Sequence, residues 1–328
     1  MSLSITKPKI VFFGTQDFGA AILQALIDSK QYDIVAVVTR PDRPIGRKQE
    51  IEPSPVKVLV KKHDLKVMQP ESLKSATALG SSPTPTPPKR GFTTTYHLPP
   101  TDLFIVCQYG LIIPKKILDL PKYGALNVHA SLLPKYRGAS PIQTALVNGE
   151  KETGVTIMLM DEKMDHGSIL AQEKISIDID DTTISLSKKM SVAAAELLSR
   201  TIPAWLAGKI KPKPQNDSEA TFCKILTRDD GKIDFNKTAD EIYNLYRGLT
   251  PWPGVWTLWE GKRLKLLKIK KANKQIPAGY VTVETNKIFI GTSRGSVEAL
   301  ELQLEGRKAM TAEAFIRGYK NINGINLG

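Results

Sequence analysis

Apolar residues recur along this chain in two rhythms. In the first, short uninterrupted apolar runs are followed by stretches of helical spacing. Residues 9–13 form such a run, closed by Gly14, and predict a buried strand ending in a turn. Residues 17–29 then place Phe18, Ala21, Ile22, Ala25 and Leu26 on one helical face. Residues 34–39, 65–68, 103–107, 125–128 and 155–160 predict further strands, and residues 184–206 a long amphipathic helix. Continuous apolar runs alternating with helices imply a mainly parallel sheet covered on both faces. Ligands of such sheets sit where loops leave the carboxyl ends of the strands.

The second rhythm begins after residue 209. Lys209-Ile-Lys-Pro-Lys-Pro-Gln-Asn-Asp-Ser218 has the composition of an interdomain linker. Beyond it, residues 261–271, 279–284, 287–291 and 297–304 are strand-like pieces separated by Gly, Asn and Lys, and a helix is predicted over 237–248. That spacing suggests a small antiparallel barrel or sandwich. Residues 78–100 fit neither rhythm. Six prolines and a run of Ser and Thr cannot make the helix expected to cover the sheet there, so an irregular loop or disordered insert and reduced stability are predicted.

Composition narrows the picture. At 328 residues and 41% hydrophobic, the chain can bury a real core, and its length suggests two domains. Two cysteines make neither a disulfide framework nor a four-thiolate zinc site, and no metal is expected. No apolar run approaches the ~18 residues of a membrane span, and the polar start has no signal core, so a cytoplasmic protein that avoids membranes is expected. A net charge of +13 favours an acidic partner, nucleic acid ahead of an anionic membrane. Residues 1–209 hold 26 basic and 20 acidic residues, and the shorter stretch 210–328 holds 20 and 13. The densest cations are Lys262, Arg263, Lys265, Lys268, Lys270, Lys271 and Lys274, interleaved with Leu264, Leu266 and Ile269. A strand would turn these apolar residues to the core and the cations to solvent, with a slip near Leu266–Leu267 that a bulge would absorb. Such a strand is either a solvated, aggregation-blocking edge or a phosphate-contacting surface; an oligonucleotide-binding type of barrel would favour the second.

The candidate chemistry lies in residues 124–167. A strand ends in Asn127-Val-His129, where positions 127 and 129 share one side. A loop over 135–141 leads into a helix starting near Pro141, and a later strand ends in a turn carrying Asp165. Histidine can hold or pass a proton near neutral pH, a carboxylate can orient the ring and stabilise its protonated form, and an Asn amide can donate to a developing oxyanion. With no Ser or Cys required, the nucleophile would come from the substrate. The set suits acyl transfer through a tetrahedral intermediate and is also compatible with hydrolysis. Dinucleotide chemistry fits poorly: Gly14-Thr-Gln-Asp-Phe-Gly19 lacks the second glycine of G-x-G-x-x-G, and the second strand ends without an acid.

NVHASLLPKYRGASPIQTALVNGEKETGVTIMLMD, residues 127–161, resembles the signature of the folate-dependent formyltransferases. KIVFFGTQDFGAAIL, VVTRPDRPIGR, PSPVKVL, YGLIIPKKIL, KMDHGSILAQ, DGKIDFNKTADEIYNLYRGLTPWPGVWT and GRKAMTAEAFIRGY resemble further segments of that family, so the likeness spans nearly all of the chain outside 78–100. The resemblance implies a Rossmann-like, mainly parallel α/β formyltransferase domain over residues 1–208, a linker over 209–225 and a basic oligonucleotide-binding-like β-barrel domain over 226–328. It implies 10-formyltetrahydrofolate as formyl donor, the α-amine of methionine on initiator tRNA as acceptor, and a monomer that needs no metal. The family's catalytic positions fall on Asn127, His129 and Asp165. Its folate site falls on Ser131, Leu132, Leu133 and Pro134, with Gln108, Tyr109 and Gly110 beside it. Arg43 and Arg47 of the loop near the acceptor end, with Lys262, Arg263, Lys265, Lys268 and Lys270, would contact tRNA. His166 stands where the family usually has Thr, and Gln108 where Ala is usual. The same trio would also serve a small amine such as glycinamide ribonucleotide or an amino sugar, and the basic second domain is what favours tRNA.

Overall fold

The apolar runs assemble into a seven-stranded sheet in the computed structural model, which describes residues 6–45, 50–74, 77–78 and 97–327. Its strands are β1 (Lys9–Gly14), β2 (Asp33–Val38), β3 (Val67–Met68), β4 (Leu103–Cys107), β5 (Ala125–His129), β6 (Glu152–Leu159) and β7 (Ser168–Ser176). They lie in the order β7-β6-β5-β4-β1-β2-β3. Every neighbouring pair from β5 to β3 is parallel, and β6 runs antiparallel to β5. The sheet is thus mainly parallel, as the alternation of runs and helices predicts. Val11, Phe13, Phe104 and Val106 join one apolar cluster, while Ile10, Phe12 and Ile105 on the alternate positions are equally buried. A strand with no water-facing side has no reason to alternate, which is why these segments read as continuous runs.

Helix α1 (Asp17–Ser29) buries Phe18, Ile22 and Leu26 of the predicted face together with Leu23, while Ala21 is exposed and Ala25 only partly buried, so the buried stripe is rotated toward Leu23. A Cβ on Gly19 would come within 2.8 Å of the Cys107 carbonyl oxygen, so this glycine lets α1 approach the end of β4. In α2 (Pro55–Lys62) the Ser54 side chain caps the first turn by accepting from the Lys57 amide at 3.2 Å. Helix α3 (Pro141–Val147) begins where the sequence places it, and α4 (Thr183–Leu206) buries Met190, Ala194, Leu197, Leu198 and Ile202. Residues 79–96 of the proline-rich stretch lie outside the described residues; on either side of them, Thr77–Ala78 and His97–Leu98 form a short parallel pair.

The chain divides into two compact units. One comprises Met1–Ala139, Gly154–Ile175 and Lys188–Phe222, and the other Ser140–Thr153, Ser176–Ser187 and Cys223–Gly328. The second is built on an antiparallel sheet of β8 (Val255–Trp259), β9 (Lys262–Ala272), β10 (Val281–Glu284), β11 (Lys287–Gly291), β12 (Ser296–Leu304) and β13 (Met310–Thr311). The strand path is β8-β9-β12-β11-β10, with β13 on β12. Helix α5 (Ala239–Leu249) opens with a reciprocal cap: Thr238 Oγ1 accepts from the Glu241 amide at 3.2 Å, and Glu241 Oε2 accepts from the Thr238 amide at 2.8 Å. Helix α6 (Ala312–Gly318) packs Phe315 on Trp259 with ring centroids 5.6 Å apart. The register of β9 with β12 shifts on either side of Lys268, the slip that the Leu266–Leu267 pair predicts, and Leu264, Leu266 and Ile269 all reach the core. Among the described residues no helix is long and apolar enough to cross a membrane.

Burial of Cys107 at the end of β4 pushes its thiol far above the ordinary range, since the thiolate would lack solvation. At about pH 8, where an exposed cysteine is partly thiolate, an alkylating reagent should leave Cys107 unmodified in the native protein and modify it fully in denaturant. Rapid native labelling, read by peptide mass spectrometry, would contradict this packing.

Candidate active site

Asn127 and His129 project from one face of β5, and both are buried. The His129 Nε2–H donates to the Tyr136 carbonyl at 2.9 Å. A carbonyl only accepts, so Nε2 carries a hydrogen and Nδ1 is the nitrogen left to gain or release a proton. That Nδ1 lies 3.7 Å from Asp165 Oδ1, and Asn127 Nδ2 donates to the same oxygen at 3.3 Å. The other carboxylate oxygen, Oδ2, accepts from the Gly138 amide at 2.8 Å. Asp165 comes from the turn between β6 and β7, and Gly138 from the loop after β5. Tyr136 and Asp165 both hold left-handed backbone conformations, with φ of 60° and 48°. Such residues cost ~1 kcal/mol or more and persist where surrounding contacts over-determine them. Amide, imidazole and carboxylate thus converge on one point.

The loops leaving β4 and β5 emerge at the same edge of the sheet, because these neighbours are parallel. After β5, Thr156 Oγ1 donates to the Ser131 carbonyl at 2.7 Å and accepts from the Leu133 amide at 3.1 Å. Gln172 Nε2 donates to the Leu133 carbonyl at 2.9 Å, and the Ser131 hydroxyl donates to the Lys135 carbonyl at 2.6 Å. These bonds hold the 131–134 turn with Ser131 and Leu133 buried and Leu132 and Pro134 partly exposed. After β4, Gln108 and Gly110 are exposed, whereas the Tyr109 ring is buried edge-on against Phe13 at 5.4 Å. Arg43 is exposed on a short strand, Arg43–Ile45, paired with Glu50–Glu52. Arg47 lies outside the described residues. Among the described residues no group of three or more His, Cys, Asp or Glu side chains is placed to hold a metal ion.

Several residues around the trio escaped the sequence reading. The Pro- and Lys-rich segment is no free tether: Lys213 exchanges backbone hydrogen bonds with Ile169 at 2.8 and 2.9 Å, and Thr221 accepts from the amides of Tyr136 and Arg137. Between these anchors, Gln215 Nε2 donates to the carbonyls of Asp165 and Gly167, at 2.9 and 2.8 Å. Arg137, buried despite its charge, donates to Gln215 Oε1 and Asp217 Oδ1, both at 2.8 Å. That hydrogen bond holds the Asp217 carboxyl below its ordinary range. His166 bridges the turn and this segment, with Nδ1 2.5 Å from Asp161 Oδ2 and Nε2 3.4 Å from Asp217 Oδ2. No spacing in Lys-Pro-Lys-Pro-Gln announces these contacts.

Residues 8–202 match the model of the formyl transferase family, and residues 225–320 that of the formyl transferase C-terminal domain. The chain belongs to the formyl transferase family. It is 43% identical over 314 residues to a methionyl-tRNA formyltransferase of Halalkalibacterium halodurans, covering 94% of each chain. A methionyl-tRNA formyltransferase of Geotalea uraniireducens is 40% identical over 98% of each chain. Among solved structures, an N-formyltransferase of Helicobacter canadensis in complex with folinic acid and dTDP-3-aminofucose superposes with a TM-score of 0.63 over 90% of this chain and 99% of that one, at 20% identity. At that identity the likeness concerns the fold.

In the formyl transferase C-terminal domain, acids from other elements partly neutralise the cation cluster. Lys270 pairs with Glu298 at 3.2 Å, Lys271 with Asp240 at 2.7 Å, and Lys274 with Glu284. The Arg263 guanidinium stacks 4.0 Å over the Trp256 ring. Lys262, Lys265 and Lys268 have no ion pair among the described residues, and Lys262 and Lys268 are exposed.

The turn bearing Asp165 is held closely enough that a Cβ on Gly167 would lie 1.9 Å from the Leu159 carbonyl oxygen. Gly167→Ala must therefore displace that turn. A shift on the order of 1 Å at a group that takes part in catalysis, the role expected of Asp165, costs ~100-fold in rate, so formyl transfer should fall by about that factor while circular dichroism stays native. Undiminished transfer would show that the turn has slack the geometry denies.

Proposed function

We propose that this enzyme transfers the formyl group of 10-formyltetrahydrofolate to the α-amine of methionine carried on initiator tRNA. The reading rests above all on the convergence of Asn127, His129 and Asp165 in a formyl transferase whose relatives, matched over nearly their whole length, are named for that activity. The trio contains no Ser or Cys, so the attacking group is the substrate's own amine, and it must arrive neutral because an ammonium has no lone pair.

As the amine nitrogen bonds to the formyl carbon, negative charge develops on the formyl oxygen. Asn127 spends one Nδ2–H on Asp165 and keeps its second for that oxygen, a contribution of about 3 kcal/mol to a transition state of this kind. His129 takes the amine proton at Nδ1 while Nε2 stays bonded to Tyr136, and the adjacent Asp165 carboxylate offsets the charge of the imidazolium so formed. Returning that proton to N10 of the folate lets the carbon–N10 bond break and restores the neutral ring. Gln108, Gly110 and the 131–134 turn border the same edge of the sheet and would flank the folate. Arg43 and the unpaired lysines of β9 would meet tRNA phosphates.

The decisive assay offers 10-formyltetrahydrofolate with either methionyl initiator tRNA or a nucleotide-linked amino sugar. Transfer to the tRNA is expected, and His129→Ala should lower kcat by ~100-fold or more while circular dichroism stays native. Transfer only to the small amine would overturn the acceptor assignment, and near-normal turnover in His129→Ala the mechanism.

Each phosphate contact contributes roughly −0.7 to −0.9 to the slope of log affinity against log salt. Replacing Lys262, Lys265 and Lys268 together with Gln should therefore flatten that slope for tRNA by about two units. An unchanged slope would return these lysines to the role of a solvated strand face.

A further inference from the structure

We propose that Gln215 is a positioning residue for formyl transfer, holding the Asp165 turn in register with His129; the inference rests on the function proposed above. The side-chain amide of Gln215 is fully committed. Its two hydrogens go to the carbonyl oxygens of Asp165 and Gly167, at 2.9 and 2.8 Å. Its oxygen accepts from Arg137 Nε and Nη2, at 3.0 and 2.8 Å. A guanidinium has no acceptor, so the amide cannot turn over without breaking all four contacts. Arg137 thereby fixes which end of Gln215 faces the turn.

The two sides that Gln215 joins are those that meet at the Asp165 carboxylate. One is the main chain of Asp165 itself. The other is the loop of Tyr136, Arg137 and Gly138, which supplies the carbonyl that orients His129 and the amide that binds Asp165 Oδ2. Backbone hydrogen bonds at Lys213 and Thr221 hold Gln215 between them. Asp165 keeps a left-handed backbone, a conformation that relaxes unless outside contacts oppose it. Removing the two donors leaves the carbonyls on either side of His166 unpaired and frees the turn to carry the carboxylate away from Nδ1.

The test measures kcat and KM for both substrates in Gln215→Ala and Gln215→Glu, each in the wild-type and the Asp165→Ala background. Gln215→Ala should lower kcat about 10- to 100-fold, the cost of misplacing a catalytic group by a fraction of an ångström to an ångström, with both KM values nearly unchanged. Gln215→Glu keeps the pairing to Arg137 but has no N–H to give, so it should lose as much. In the Asp165→Ala background the same substitutions should cost less than about threefold, because groups that act as a unit are not additive.

Wild-type kcat in Gln215→Ala, or full activity in Gln215→Glu, would overturn the inference. So would losses that multiply undiminished in the Asp165→Ala background, since they would mark a general structural role. Wild-type protein inert in formyl transfer would overturn the functional reading and this inference with it, whereas an active wild type with unaltered variants overturns the inference alone.

Discussion

A carboxylate largely withdrawn from water must find donors or give up its charge, and Asp165 finds them on one strand and one loop. Asn127 and Gly138 each supply an N–H, and His129 presents a nitrogen able to carry positive charge. Because the groups that solvate Asp165 are also those proposed to handle the formyl group, stability of the turn and readiness for chemistry draw on the same contacts. The His129 ring has a second anchor in the Tyr136 carbonyl, which leaves a single nitrogen free to change its protonation. Orientation is settled before substrate arrives, and a preorganised site of this sort has little left to rearrange in the transition state.

Holding that arrangement calls on contacts well outside the trio. Tyr136 and Asp165 adopt left-handed backbone, and a segment with the composition of a linker is bonded along its length to the loops that carry them. Arg137 illustrates the logic. Buried guanidinium charge is tolerated because Gln215 and Asp217 satisfy it, and its presence dictates the direction in which the Gln215 amide points. The second unit is organised on other terms. Its antiparallel strands bury an apolar face, and several cations are answered by acids on neighbouring strands and helices, so its net positive charge is concentrated on fewer lysines than the sequence count suggests.

Much of the fold is legible from the chain. The runs at β1, β4 and β5 stand out because both faces of these strands are buried, and α1 and α4 because one stripe of each is. The bulge in β9 is visible as two leucines breaking an alternation. Strand β8 is not visible: Thr257 interrupts its short apolar run, and it follows a Pro-Trp-Pro-Gly stretch that reads as a loop. Asn127 and His129 are legible as a pair because a strand's period of two puts them on one side.

Local rules bear on neighbours in sequence, and those neighbours suffice to determine strand against helix, the shared face of Asn127 and His129, and the resemblance carried by residues 127–161. Distances between distant residues are decided only when the sheet closes and the loops pack. Asp165, 36 positions beyond His129, meets it because β6 returns alongside β5 and leads into the turn that carries the carboxylate. Gln215, 50 residues beyond Asp165, reaches its carbonyl because the segment after α4 pairs with Ile169 and lies against the same turn. The chain alone therefore states which chemical groups are present and how each is locally presented. Their meeting depends on long-range hydrogen bonds and burial, which have no signature in spacing or composition.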